Sequence, residues 1–161
     1  MSAPTITPPR GHAALRRSRV SLPGHVYHIT TATHERHTLF DDLRIARAAI
    51  RALNDPALLG DSSLLAWVLM PDHLHALLLL GESDDLGALV ARLKAGTARA
   101  VNRRRGQSGA VWQRAYHDHL LRKDEDLATV ARYIVANPLR SRLVTRIADY
   151  PHWDAVWLRP M

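Results

Sequence analysis

The sequence predicts an α+β fold: a ferredoxin-like antiparallel sheet of the order βαββαβ, with an additional C-terminal helix that carries Tyr133. Three observations predict this class. The first segment alternates like a strand, two apolar strands are joined by a short turn, and the segments between strands show helical spacing. The chain has 161 residues and 47% hydrophobic content, enough for one domain with a single core.

The first predicted strand and helix follow a basic N-terminal segment. Residues 1–22 contain four arginines and no acid, and we expect them to form a flexible arm before a single domain of residues 23–161. Residues 25–33 alternate and are rich in Val, Ile, Thr and Tyr, which predicts a strand. Asp41 or Asp42 can cap a helix. Its apolar side chains have helical spacing until Asn54-Asp55-Pro56 ends it: Leu43, Ala46, Ala49, Ile50 and Leu53.

Two central strands and a long helix come next. Residues 62–70 and 73–80 are strongly apolar and are joined by the turn pair Pro71-Asp72. Asp84 or Asp85 opens the second helix, whose outer face is basic. Its predicted buried stripe consists of Leu86, Leu89, Val90, Leu93, Thr97, Ala100 and Val101.

The last predicted elements are a fourth strand and a third helix. After a glycine-containing loop, residues 111–122 read as the strand. The acids of residues 124–126 favour the start of the helix, because its N-terminus carries partial positive charge. Pro138 should end or kink the helix, and Asn137 before it is biased away from helical geometry.

Charge and cysteine content restrict the class of function. The chain has no cysteine, which excludes disulfides, thiolate zinc sites and a cysteine nucleophile, and fits a cytoplasmic protein. The longest apolar run, residues 76–80, is too short to span a membrane. The net charge is +7, and the basic residues form acid-free blocks, which favours a nucleic-acid partner. The predicted DNA-binding residues are Arg92, Lys94, Arg99, Arg103, Arg104, Arg105, Arg132 and Arg140.

Two residue pairs suggest a metal site with a nucleophile. His73 and His75 leave a strand on the same face, and Tyr133 and Asn137 have the i,i+4 spacing of one helix face. Two imidazoles, an amide oxygen and a phenol suit phosphodiester cleavage with a divalent ion. The ion can be Mg²⁺, Mn²⁺ or another divalent metal, because the ligand types alone do not decide which.

Other interpretations of these residues remain open at this stage. A His-x-His pair can be mere polar spacing, and Tyr133 can be an interfacial packing residue. His117 and His119 form a rival metal pair or part of the wall of the site, and Tyr116 is an alternative nucleophile.

Taken in order, several fragments resemble the REP-associated tyrosine transposases, relatives of the IS200/IS605 single-tyrosine transposases within the HUH nucleases. The resemblance runs from about residue 22 to residue 158. The matching fragments are Tyr27-His28-Ile29-Thr30, Met70-Pro71-Asp72-His73-Leu74-His75, Trp112-Gln113-Arg114, Tyr116-His117-Asp118-His119 and the segment from Ala131 to Arg140. The loop after the first strand departs from the usual pattern, because five residues precede Arg36 where the family often has an earlier arginine.

The resemblance implies roles for the site residues. His73 and His75 match the two metal-binding histidines of the HUH motif, Asn137 matches the third polar ligand, and Tyr133 matches the catalytic tyrosine. It also implies a monomer that cleaves single-stranded DNA beside a hairpin and forms a 5′-phosphotyrosine link. We therefore expect a metal-dependent endonuclease and strand transferase. The rivals are a non-catalytic nucleic-acid-binding module and a phosphodiesterase that uses water.

Overall fold

The central sheet has five antiparallel strands. The computed structural model describes residues 21–158, so most of the expected basic arm lies outside the described residues. The strands are β1 (Val26–Ala32), β2 (Ser63–Met70), β3 (His73–Leu79), β4 (His117–Leu120) and β5 (Trp153–Ala155). Their spatial order is β4-β1-β3-β2-β5, and each neighbouring pair is antiparallel. The first four strands confirm the predicted ferredoxin-like order, and β5 extends it beside β2.

Acidic side chains begin the helices, as the sequence predicts. The helices are α1 (Leu43–Leu53), α2 (Pro56–Leu59), α3 (Leu86–Arg105), α4 (Leu127–Val135) and α5 (Asn137–Arg140). Asp42, Asp85 and Asp126 cap α1, α3 and α4 by accepting hydrogen bonds from backbone N–H groups of the first turn. None of the helices within residues 21–158 has both the length and the apolar character needed to cross a membrane.

The sheet separates two hydrophobic cores. On one face, Leu74, Ala76 and Leu78 of β3 pack in the core formed with α1 and α3. On the other face, Leu77 of β3 packs with Ile134 of α4. Successive side chains of a strand point to opposite faces, so β3 contributes to both cores. Helix α4 therefore covers the face of the sheet opposite α1 and α3.

The fourth strand is much shorter than the predicted span of residues 111–122. Only His117–Leu120 forms β4, and an isolated bridge joins Thr33 to Trp112. The intervening carbonyl groups of residues 113–115 accept hydrogen bonds from the Lys94 ammonium rather than from a neighbouring strand. Trp112 is apolar because it packs in the core, so the sequence resembles a strand at a position where the backbone forms only a bridge.

The packing of α4 can be tested at Ile134, which is fully buried. We expect Ile134→Ala to lower the free energy of unfolding by about 2–5 kcal/mol, because it leaves a cavity between α4 and the sheet. Urea unfolding followed by circular dichroism measures this loss. Leu139→Ala, at a position that is about one-third exposed, is the control and should cost about 1 kcal/mol or less. Equal losses in the two variants would contradict this packing.

Candidate active site

The pleat of β3 puts the two histidines on the face of the sheet that α4 covers. His73 and His75 share the orientation of Leu77, which packs against α4, whereas Leu74 lies in the opposite core. Both imidazoles are partly buried, and their ring centroids are 5.0 Å apart. The structure therefore brings the predicted pair together at one end of β3.

Each imidazole is held by hydrogen bonds at its Nδ1 atom. His73 Nδ1 lies 2.7 Å from Asp72 Oδ1. His75 Nδ1 lies 3.1 Å from His28 Nε2 and 3.0 Å from Thr30 Oγ1. Both partners of His75 come from β1, whose side chains at alternate positions face the same side of the sheet.

Burial and neighbouring charge keep His75 neutral. Burial, together with smaller contributions from the positive charges that His73, His28 and Arg140 can carry, lowers the pKa of His75 to about 3. Burial also lowers the pKa of His28, with a smaller contribution from His119. A neutral imidazole retains a nitrogen lone pair, which is the form that binds a metal ion.

Tyr133 projects from the exposed side of α4. Its side chain is 61% exposed. The guanidinium carbon of Arg140 lies 3.8 Å from the centroid of the phenol ring, and Arg140 Nη2 donates a hydrogen bond to the Tyr133 carbonyl at 2.7 Å. Since the charge of Arg140 also acts on His75, this arginine electrostatically links the tyrosine helix to the histidine pair.

The chain between Tyr133 and Asn137 stays close to helical geometry. Helix α4 ends at Val135, and Ala136 has φ −79° and ψ 0° before α5 begins at Asn137. Pro138 occupies the first turn of α5, where its missing N–H costs no helical hydrogen bond. The predicted interruption therefore occurs as a junction between two helices. Asn137 Nδ2 donates to the Ile134 carbonyl at 2.8 Å, so Oδ1 is the amide atom that a metal ion could contact.

These donors fit a divalent ion. Within residues 21–158, no group of three or more His, Asp or Glu side chains has an arrangement that could hold a metal. A set of three protein ligands among these residues would therefore need another donor type, and the Asn137 amide is the one that the sequence singles out. Imidazole nitrogens suit divalent transition-metal ions, and an amide oxygen suits Mn²⁺ or Mg²⁺, so these donor types fit a divalent ion without deciding which one.

The predicted wall residues divide between the two faces of the sheet. Thr30 of β1 pairs with His75 of β3 and with His117 of β4. Because directly paired residues share a face of the sheet, His117 lies on the same face as His75, which α4 covers. His119 pairs with His28, and its Nε2 atom lies 3.0 Å from Glu125 Oε1.

Tyr116, the alternative nucleophile, does not lie at this site. It is 8% exposed and packs in the core formed with α1 and α3. The reason is the period of the strand, because a residue directly before His117 points to the opposite face. The structure thus places Tyr116 on the other side of the sheet from His73 and His75.

The basic residues of α3 also lie on the far side of the sheet, and two of them have intramolecular partners. Arg92 forms an ion pair with Asp84, with Nη2 and Oδ2 2.6 Å apart, and this contact lowers the pKa of Asp84. Lys94 binds the carbonyl groups that precede β4. The other predicted residues of α3, Arg99, Arg103, Arg104 and Arg105, line two neighbouring grooves of about 550 and 570 Å³ beside α1.

Sequence reasoning missed three polar residues of the site. His28 and Thr30 became neighbours of His75 only through the register of β1 and β3. The sequence assigns Asp72 no role beyond the turn and the matching fragment, although its carboxylate contacts the imidazole of the next residue. A carboxylate directly before a candidate metal-binding histidine is a signal that could have identified it.

Comparison with known proteins gives a consistent assignment. A family model described as "Transposase IS200 like" matches residues 21–137. A Haemophilus influenzae protein assigned to the REP-associated tyrosine transposases is 35% identical over 94 residues, covering 52% of this chain and 53% of that protein. A REP-associated tyrosine transposase of Escherichia coli is 28% identical over 87 residues, covering 53% and 50%. The match thus spans about half the length of these relatives.

Two solved structures share the fold. A REP-associated tyrosine transposase bound to a REP hairpin has a TM-score of 0.66 and 23% identity, covering 84% of this chain and 79% of that chain. A Deinococcus radiodurans structure described as a transposase has a TM-score of 0.53 and 24% identity, covering 80% and 95%. The long family match is independent of these structural similarities and agrees with them. The chain therefore belongs to the family of IS200-like transposases.

Proposed function

We propose that this protein is a metal-dependent endonuclease and strand transferase for single-stranded DNA at hairpin, REP-like sequences. The observation that carries the proposal is the position of His73, His75 and the tyrosine helix α4 on one face of the sheet. The relatives named REP-associated tyrosine transposases, and the structural neighbour bound to a REP hairpin, support a hairpin substrate. We further propose that the protein acts as a monomer.

Tyr133 is the proposed nucleophile. Its phenol oxygen forms a bond to the scissile phosphorus while the bond from phosphorus to the 3′ oxygen breaks. The phenol proton is lost, the departing 3′ oxygen takes up a proton, and the products are a 5′-phosphotyrosine and a free 3′-OH. A neutral phenol is a weak nucleophile, and the guanidinium stacked on its ring at 3.8 Å places a positive charge beside it that would attract the phosphate.

The proposed ligands of a divalent ion are His73, His75 and Asn137. Bound there, the ion supplies Lewis-acid polarisation of the scissile phosphate. The low pKa of His75 keeps this ligand unprotonated at neutral pH. The amide of Asn137 is oriented by its hydrogen bond to the backbone of α4, which ties the third ligand to the helix of the nucleophile.

The basic grooves beside α3 suit the backbone of the hairpin stem. Arg99 and Arg103 line one groove with Arg51 of α1. Because these residues lie on the sheet face opposite Tyr133, we propose that they hold DNA away from the scissile phosphate. Arg132 of α4 and Arg140 of α5, on the face of the sheet that α4 covers, would contact the cleaved strand.

Removal of the phenol hydroxyl tests covalent catalysis. We expect Tyr133→Phe to retain Mn²⁺ and DNA binding but to lose adduct formation by on the order of 10⁴-fold or more, because the nucleophile is absent. Denaturing electrophoresis with Mn²⁺ and a labelled pool of hairpins with single-stranded flanks measures the adduct. Tyr116→Phe is the matched control and should form it normally. A Tyr133→Phe protein that still forms adduct would refute the assignment, whereas cleavage without any adduct would favour water as the nucleophile.

Loss of either imidazole tests the metal site. We expect His73→Ala and His75→Ala to weaken Mn²⁺ binding by roughly 100-fold or more, since each removes a ligand, while the protein remains folded. Calorimetric titration with Mn²⁺ measures the affinity. His37→Ala, in the exposed loop after β1, is the control. Unchanged Mn²⁺ affinity in both site variants would show that the metal assignment is incorrect.

Neutral substitutions in the basic groove test the proposed DNA path. We expect the double variant Arg99→Gln/Arg103→Gln to bind hairpin DNA more weakly. The slope of the logarithm of the binding constant against the logarithm of the salt concentration should become shallower by roughly 1 for each lost phosphate contact. Adduct formation on a short unstructured strand should persist. Arg146→Gln, which removes an arginine paired with Asp149, is the control. Hairpin affinity equal to that of the control would exclude this groove from the DNA path.

A further inference from the structure

The carboxylate of Asp72 is shared between a candidate metal ligand and the loop that follows β1. Asp72 Oδ1 lies 2.7 Å from His73 Nδ1, and Asp72 Oδ2 lies 3.6 Å from Arg36 Nε. The side chain of Asp72 is 28% exposed, so both contacts occur at the edge of the site rather than in the core. The turn between β2 and β3 is thus chemically connected to His73.

The loop after β1 fixes the backbone of the same turn. Thr33 donates a hydrogen bond to the Asp72 carbonyl from its backbone N–H at 2.9 Å, and its hydroxyl lies 2.7 Å from the His37 carbonyl and 3.1 Å from the Asp72 carbonyl. Phe40 N–H donates to the Pro71 carbonyl at 3.1 Å. Glu35 and Arg36 both have positive φ, 54° and 56°, a conformation that non-glycine residues rarely adopt. This folding of the loop brings the Arg36 guanidinium to Asp72.

We propose that Asp72 and His28 are positioning residues that fix the tautomers of the two imidazoles, so that both present an Nε2 lone pair to one ion. The inference rests on the proposed metal-dependent function and deepens it. A carboxylate only accepts hydrogen bonds, so His73 must carry its proton on Nδ1 to bond with Asp72. Neutral His73 then has its lone pair on Nε2.

His75 receives the corresponding support from β1. His28 Nε2 can accept a hydrogen bond from His75 Nδ1 at 3.1 Å, and Thr30 Oγ1 can accept from the same atom at 3.0 Å. The rings of His28 and His75 are 5.2 Å apart and tilted by 38°. In the proposed arrangement His75 is the donor in both contacts, so its proton lies on Nδ1, which again leaves Nε2 for the ion.

His73 and His75 have different hydrogen-bond partners, and this difference allows the tautomer of His73 to be changed by a single substitution. His73 bonds to an anionic carboxylate, whereas His75 bonds to neutral groups. Asparagine at position 72 could turn its NH₂ group towards His73 Nδ1, which would move the imidazole proton to Nε2. Asp72→Asn therefore tests the tautomer with almost no change in side-chain size.

The test combines NMR of the metal-free protein with Mn²⁺ titration. Long-range ¹H–¹⁵N spectra distinguish the protonated from the unprotonated ring nitrogen of each histidine. In the unsubstituted protein, at a pH where both imidazoles are neutral, we expect Nδ1–H and a bare Nε2 for both His73 and His75. Asp72→Asn should populate the Nε2–H form of His73 and weaken Mn²⁺ binding by roughly 10–100-fold. His28→Phe removes one of the two acceptors at His75 Nδ1 and leaves Thr30 Oγ1, so we expect the same changes for His75 to a smaller extent.

Controls separate this inference from the proposed function. Asp124→Asn, at an exposed acid outside the site, should change neither the spectra nor the Mn²⁺ affinity. Nε2–H tautomers in the unsubstituted protein, or an unchanged tautomer and Mn²⁺ affinity in Asp72→Asn, would overturn the assignment of Asp72. Absence of Mn²⁺ binding in the unsubstituted protein would instead refute the proposed metal site. The NMR spectra of the metal-free protein would still show whether Asp72 and His28 fix the tautomers of the two imidazoles.

Discussion

The arrangement of the site depends on the alternation of side chains along β3. Leu74, Ala76 and Leu78 pack in the core with α1 and α3, so the intervening residues must face α4. His73 and His75 thereby become neighbours, and Leu77 anchors the same strand face against Ile134 of α4. A shift of β3 by one residue would bury both imidazoles in an apolar core, at a high cost in free energy. Core packing therefore fixes the positions of the imidazoles.

Electrostatics adds a second constraint on the same face of the sheet. Desolvation keeps His75 neutral, while Asp72 supplies a negative partner for His73. Arg140 stacks on Tyr133 and contributes to the low pKa of His75. The face therefore combines the neutral imidazole of His75 with a cation beside an exposed phenol, a combination that suits attack on a phosphate.

Sequence periodicity predicted the elements that have strong patterns and failed where tertiary contacts decide. The central strands, α1, α3 and the capping acids followed from apolar spacing and composition. The three-residue β5 was too short to give a pattern, and β4 was overestimated because Trp112 is buried without belonging to a strand. His28 could not be assigned from its own neighbours, since its contact with His75 depends on the register between β1 and β3. Likewise, the basic spacing of α3 could not reveal that Arg92 and Lys94 have internal partners.

The most direct test of this account is peptide mapping of the covalent product by mass spectrometry. The protein would be incubated with Mn²⁺ and hairpin oligonucleotides that carry single-stranded flanks, then digested with protease and nuclease. The account predicts a nucleotide attached through a 5′ phosphate to the peptide that contains Tyr133. A nucleotide on any other residue, or cleaved DNA with no modified peptide, would contradict the proposal that this face of the sheet performs tyrosine-based strand transfer.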